Sequence, residues 1–222
     1  MRFTKRSVKT ALIAAGICSF LLAGCGSQNP LNEMQDAMEK VTEKEKPFQT
    51  EQASLMDYEK KEQQLYKDMI NTTKDKTKTV TNLSNQALAL SKQRKKHLRT
   101  EKESMDQSKK EFHIVKESAE RIADADMKEK AKETVMSMEK RYQSYDKLYR
   151  EYEKALELDQ KLYKSFKKKD LGYQELKTKL KTVNHTYSKV RKESKKFNDY
   201  TDQLNQKKQS LYRVAGYEIE KS

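Results

Sequence analysis

The sequence predicts an all-α fold: an elongated antiparallel bundle or coiled coil of about four long helices. Three observations predict it. Helix breakers are scarce, because 222 residues hold only two prolines and five glycines, too few for the turns of a β-rich domain. Apolar residues recur at alternating spacings of three and four, the period of one helix face. Hydrophobic residues make up 34% and charged residues 37%, which suits the narrow apolar stripes of a thin rod better than a thick globular core. Without that regular spacing the same composition would signal disorder.

The first element is a leader. Arg2, Lys5, Arg6 and Lys9 precede an apolar run from Ala11 to Leu22. The run is shorter than the roughly 20 residues that span a bilayer and has signal-peptide length. It ends in Leu22-Ala23-Gly24-Cys25, which resembles the lipobox of bacterial lipoproteins. The resemblance implies transfer of diacylglycerol to the Cys25 sulfur and cleavage before that residue. Residues 1–24 are thus read as a signal peptide, 25–30 as a lipidated tether and 31–222 as the helical bundle. Each buried acyl methylene contributes about 0.8 kcal/mol, so two or more chains hold a protein at a membrane firmly. The expected location is the extracytoplasmic face of the cell membrane. Cys18 leaves with the leader, so a disulfide or cysteine-based metal site in the mature chain is not expected.

The first helical segment runs from about Leu31 to Ile70 on a stripe of Leu31, Met34, Met38, Val41, Phe48, Leu55, Tyr66 and Met69. Pro47 interrupts it, giving either a kink or two shorter helices. Residues 71–78 carry no stripe and read as a turn. The second segment carries Val80, Leu83, Ala87, Leu90, Leu98, Met105, Phe112, Val115, Ala119 and Ile122, and its register shifts near His97 and Leu98, as a stutter would. After Ala123-Asp124-Ala125, Asp126 can cap a third helix. Its seam is Ala131, Val135, Met138, Tyr142, Tyr145, Tyr149, Tyr152, Leu156, Asp159, Tyr163 and Phe166. Asp170, with Gly172 close by, can cap the fourth helix. That helix continues on Tyr173, Leu176, Leu180, Val183, Tyr187, Val190, Ser194, Phe197, Thr201, Leu204 and Leu211, fraying near Gly216. Segments of about 40 residues would be roughly 60 Å long. Three helices with a looser fourth, or a homodimer on the same seams, are alternatives.

The formal charge is +14, of which the acid-free leader carries +4, leaving +10 on the mature chain. Such a surplus favours polyanionic surroundings, and the leader turns that preference from intracellular nucleic acid toward the envelope. The surplus is uneven: residues 25–70 are net −4, 71–122 net +6, 123–172 net +2 and 173–222 net +6. In an up-down bundle that starts at the membrane, the first and third turns point away from it. Lys74, Lys76, Lys78, Lys167, Lys168 and Lys169 would then form a basic tip suited to an anionic cell-wall polymer. Two further clusters, Lys92, Arg94, Lys95, Lys96, Arg99 and Lys189, Arg191, Lys192, Lys195, Lys196, lie mid-helix and read as ordinary exposed faces, with a lateral basic band as the alternative.

Signs of catalysis are missing from the pattern. His97, His113 and His185 stand at no metal-ligand spacing, and there is no phosphate loop or nucleophile elbow. The carboxylates alternate with lysines at helix-surface spacing. No enzyme activity, cofactor or metal is expected. The twelve tyrosines are unusual beside six phenylalanines and no tryptophan; the heptad positions of Tyr142, Tyr145, Tyr149, Tyr152 and Tyr163 place them in the core, with a glycan-binding platform as the alternative.

Glu45-Lys46-Pro47-Phe48, Glu101-Lys102-Glu103-Ser104, Ser108-Lys109-Lys110-Glu111-Phe112, Tyr145-Asp146-Lys147-Leu148-Tyr149 and Phe197-Asn198-Asp199-Tyr200-Thr201, together with the lipobox, carry a resemblance. In that order they resemble the YkyA-like cell-wall-binding lipoproteins of Gram-positive bacteria, over nearly the whole chain. The resemblance implies a surface lipoprotein associated with the wall and brings no catalytic residues with it. The alternative reading is a protein-interaction scaffold at the envelope without direct wall binding.

Overall fold

Asn29 and Pro30 start the first helix. The Asn29 side-chain oxygen accepts from the Leu31 N–H at 3.0 Å, and Pro30 sits where its missing N–H leaves no bond unmade. The computed structural model describes residues 29–72, 77–168 and 170–217. They form α1 (Pro30–Lys44), α2 (Lys46–Asn71), α3 (Thr77–Arg121), α4 (Ala125–Ser165) and α5 (Tyr173–Val214), with no strand among the described residues. The leader, Cys25, Lys74, Lys76 and Lys169 lie outside the described residues.

The interruption at Pro47 divides the first segment into two helices at Glu45, where the backbone turns to φ −88° and ψ −4°. A hydroxyl from the neighbouring helix completes the break. Ser104 of α3 donates to the Lys44 carbonyl at 2.5 Å and accepts from the Phe48 N–H at 3.2 Å. Those two backbone groups would bond each other in an unbroken helix, so Ser104 stands inside the ladder.

The caps of the later helices differ from the expectation. Asp124, not Asp126, caps α4, its carboxylate accepting from the Met127 N–H at 2.9 Å. Asp126 falls in the first turn, where a negative charge suits the helix dipole. Leu171 and Gly172 are non-helical, so α5 begins behind Gly172 with no side-chain cap, and Asp170 lies too early to serve.

α1 and α2 form one rod beside α3, α3 packs on α4, and α4 on α5, an up-down-up-down order. Tyr217 donates to Asn32, and Arg121 pairs with Glu33, so the start of α1, the end of α5 and the α3–α4 turn share one pole. At the other pole Tyr66 meets Phe166 edge-on, and the Ser84 hydroxyl donates to the Tyr163 carbonyl.

The core is segmented along the rod. The first-pole cluster includes Met34, Met38, Met105, Phe112, Tyr142, Phe197 and Leu204, with Phe48, Tyr145 and Phe197 in mutual ring contact at 5.6 Å. The middle cluster is Leu55, Leu98 and Leu156, and the far one Met69, Ala87 and Tyr163. Both are built from α2, α3 and α4, while α5 buries Val183 and Thr186 in that half. Tyr173, expected on the seam, is 70% exposed, whereas Tyr142, Tyr145 and Tyr163 are buried.

Candidate polyanion surface and the charged core

Polar layers separate the apolar clusters. In the first, Arg141 of α4 forks onto Glu45, Nη1 to Oε1 at 2.8 Å and Nη2 to Oε2 at 2.7 Å. Its Nε donates to the Thr201 hydroxyl of α5 at 3.0 Å, and its guanidinium lies 4.8 Å from the Phe197 ring centre. Ser108 of α3 donates to Glu45 Oε1 at 2.7 Å. That uses its only proton, so the Tyr142 hydroxyl, 2.5 Å away, donates to Ser108. One layer thus joins the α1–α2 break to α3, α4 and α5.

The second layer centres on Arg94, 1% exposed. It donates to Glu62 of α2 at 3.1 Å, to Asp159 of α4 at 3.4 Å, and to the Tyr152 and Tyr187 hydroxyls at 3.0 Å each. Tyr163 donates to Glu62 at 3.1 Å, and Tyr187 donates to Asp159. Burial pushes Glu62 up to about 7 and Asp159 up to about 6, with Arg94 pulling both back toward the ionised form. Burial alone would weaken the charge on Arg94, but the tyrosines and carboxylates around it hold the guanidinium cationic.

Between these layers Glu101 of α3, 2% exposed, sits beside Tyr145 and Gln52 with no cation among the groups that act on it. Burial pushes it up to about 8, so at neutral pH it is mostly the neutral acid.

The structure places Lys78 in the first turn of α3, exposed, and Lys167 and Lys168 just past α4, at the same far pole. Their charges are unequally available. Lys167 donates to Asn85 at 2.9 Å, and Lys168 is paired with Glu175 at 3.1 Å. The cluster expected as an exposed face is split: Arg94 is in the core, while Lys92, Lys95, Lys96 and Arg99 remain on the surface with Gln160 of α4 around an open depression of about 370 Å³. At the other pole a crevice among Leu31, Met38, Thr134 and Leu211 leaves no room for a water molecule.

The histidines fall on the flanks. His97 is bonded to Glu51 and stacks 5.2 Å from Tyr58, and His113 meets the Lys110 carbonyl. His185 is exposed.

Comparison with known proteins agrees with this architecture. Residues 29–214 match the family described as "Putative cell-wall binding lipoprotein". The chain is 43% identical over 204 residues to the uncharacterized lipoprotein YkyA of Bacillus subtilis (strain 168), covering 92% of each chain. A crystal structure of a conserved protein of unknown function from Staphylococcus aureus superposes with a TM-score of 0.73 at 18% identity, covering 86% of this chain and 97% of that one. That likeness shows the shared helical-bundle fold.

Proposed function

We propose, from the premise that the chain belongs to the YkyA family of lipoproteins, that it is a rod acylated on Cys25 at the outer face of a Gram-positive membrane. There it binds an anionic cell-wall polymer without catalysis. The observation that carries this reading is the polarity of the rod. Asn32 and Tyr217 meet at the pole where the described chain begins at Asn29, and Lys78, Lys167 and Lys168 lie at the opposite one. α4 has 41 residues, so the poles stand about 60 Å apart. That distance exceeds several times the Debye length of about 8 Å at physiological salt, so cations at the far pole act on what surrounds the rod, not on lipid headgroups. The +10 surplus of the mature chain supplies the attraction, and phosphate neutralised by lysine is a salt-labile bond.

The test uses the acylated full-length mature protein in detergent and purified walls, with and without their covalently attached anionic polymer, across a salt series. Retention should need the polymer and fall steeply with salt. Equal retention on stripped walls would overturn polymer binding, and salt-resistant capture of a single protein partner would favour the scaffold reading instead. Cys25→Ala should release the protein from the membrane fraction; retention of that variant would overturn the anchor.

A further inference from the structure

We infer that the depression on the α3–α4 flank is the seat of a linear polyol-phosphate chain; this rests on the wall-polymer reading above and names its site. Lys92, Lys95, Lys96 and Arg99 of α3 and Gln160 of α4 line it.

Charge compensation varies along the α3–α4 seam. Several of its lysines are cancelled by acids: Lys102 and Lys109 by Asp146 at 3.5 and 3.4 Å, Lys116 by Glu139 at 3.3 Å, and Lys132 by Glu120 at 3.2 Å. Within the depression Lys95 is held by Glu153 and Glu157 at 3.5 and 3.6 Å. Lys92, Lys96 and Arg99 are exposed and have no ion pair among the described residues. Just beyond, Lys167 reaches across the same seam to Asn85 at 2.9 Å, so the uncancelled strip continues to the far pole.

The spacing selects the ligand. Lys92, Lys96 and Arg99 follow one another along α3 at rises of about 6 and 5 Å, at 1.5 Å per residue. They do not converge on a point, as a site for one phosphate would. They form a row, which suits charges repeated along a chain. The lining also offers the Gln160 amide, a donor and an acceptor for the hydroxyls between phosphates. The anchored membrane is excluded as the occupant. Lys96 stands 25 residues up α3 from Arg121 at the membrane-facing pole, about 37 Å, well beyond electrostatic reach of headgroups.

The test measures binding of the full mature chain to poly(glycerol phosphate) of defined length. It compares K92Q/K96Q/R99Q with R191Q/K192Q/K195Q, a matched control on α5 that removes the same charges from exposed positions. Loss of about tenfold or more in the flank variant, with a salt slope shallower by about two, is expected, against a change under about threefold in the control. Equal losses would show diffuse attraction and overturn the site while leaving wall binding intact. Absence of wild-type binding to the polymer would overturn the parent reading as well. Tighter binding to single-stranded DNA than to the polyol phosphate would overturn the ligand class. The same comparison on walls and on vesicles bearing lipid-linked polymer identifies the source, and a flank-dependent signal on either supports the inference.

Discussion

Glu101→Gln should make the protein more stable, and by an amount that grows with pH. Glu101 is 2% exposed, and burial pushes it from an ordinary 4.5 up to about 8. A carboxyl whose folded value is raised contributes its full stability below the unfolded value and loses it as pH climbs through the folded one. For Glu101 that window runs from about pH 4.5 to about pH 8. Within it the unfolded chain is ionised while the folded chain must take up a proton, which costs about 1.4 kcal/mol per pH unit. The amide has nearly the same shape, sits beside the same Tyr145 and Gln52, and needs no proton. The variant's advantage over wild type should therefore rise by about 2–3 kcal/mol between pH 5 and pH 7. Glu62 and Asp159 titrate in both proteins and cancel in the difference. Urea melts of both full-length mature chains, followed by helical circular dichroism at pH 5, 6, 7 and 8, would measure it. A stability difference that stays flat over that range would refute the argument, because it would mean that Glu101 ionises in the folded bundle as readily as in the unfolded chain.

Arg94→Met should destabilise most at alkaline pH. It leaves Glu62 and Asp159 buried without their cation, costing about 3–5 kcal/mol at pH 8 and visibly less at pH 5, where both carboxyls hold protons; a pH-independent loss in chemical melts would show that packing, not charge, is what Arg94 supplies. Ser104→Ala removes the hydroxyl between Lys44 and Phe48 and should cost about 1–2 kcal/mol, with hydrogen exchange accelerated at Phe48; unchanged exchange there would show that the break forms without it. Asp124→Ala should cost about 1 kcal/mol through loss of the α4 cap, whereas Asp126→Ala should cost less; the reverse order in thermal melts would overturn the cap assignment.

Much of the fold was legible because apolar spacing reports helix faces directly. In α3 the apolar residues alone give a false register. The apparent stutter at His97 and Leu98 vanishes once polar residues are admitted: Ala87, Ser91, Arg94, Leu98, Glu101, Met105, Ser108 and Phe112 are all buried and follow strict steps of four and three. The register never shifted; charged residues occupied its core positions. Composition puts Arg94 in a surface cluster, although its spacing to Leu98 places it inside. Spacing puts Asp159 on the seam of α4, where it is buried, and the same rule applied to α3 finds Arg94. The split of the lysines into cancelled and uncancelled ones was not legible, because it depends on which acids of α4 face them.

The charged core and the flank are linked through helix register. A seam of leucine and methionine repeats every seven residues, so a slip of one heptad between neighbouring helices costs an apolar bundle little. Here it would carry Arg94 away from Glu62, Asp159 and Tyr187 and strand a buried guanidinium, at a cost of several kcal/mol. The polar layers thus set the longitudinal register of the rod. The depression depends on that register, because Gln160 has Glu153 one heptad before it and Lys167 one heptad after. Sliding α4 by seven residues in one direction would bring a carboxylate between Lys92 and Arg99 and cancel the row of free cations. Buried charges that contribute little net stability therefore determine where the surface charges fall.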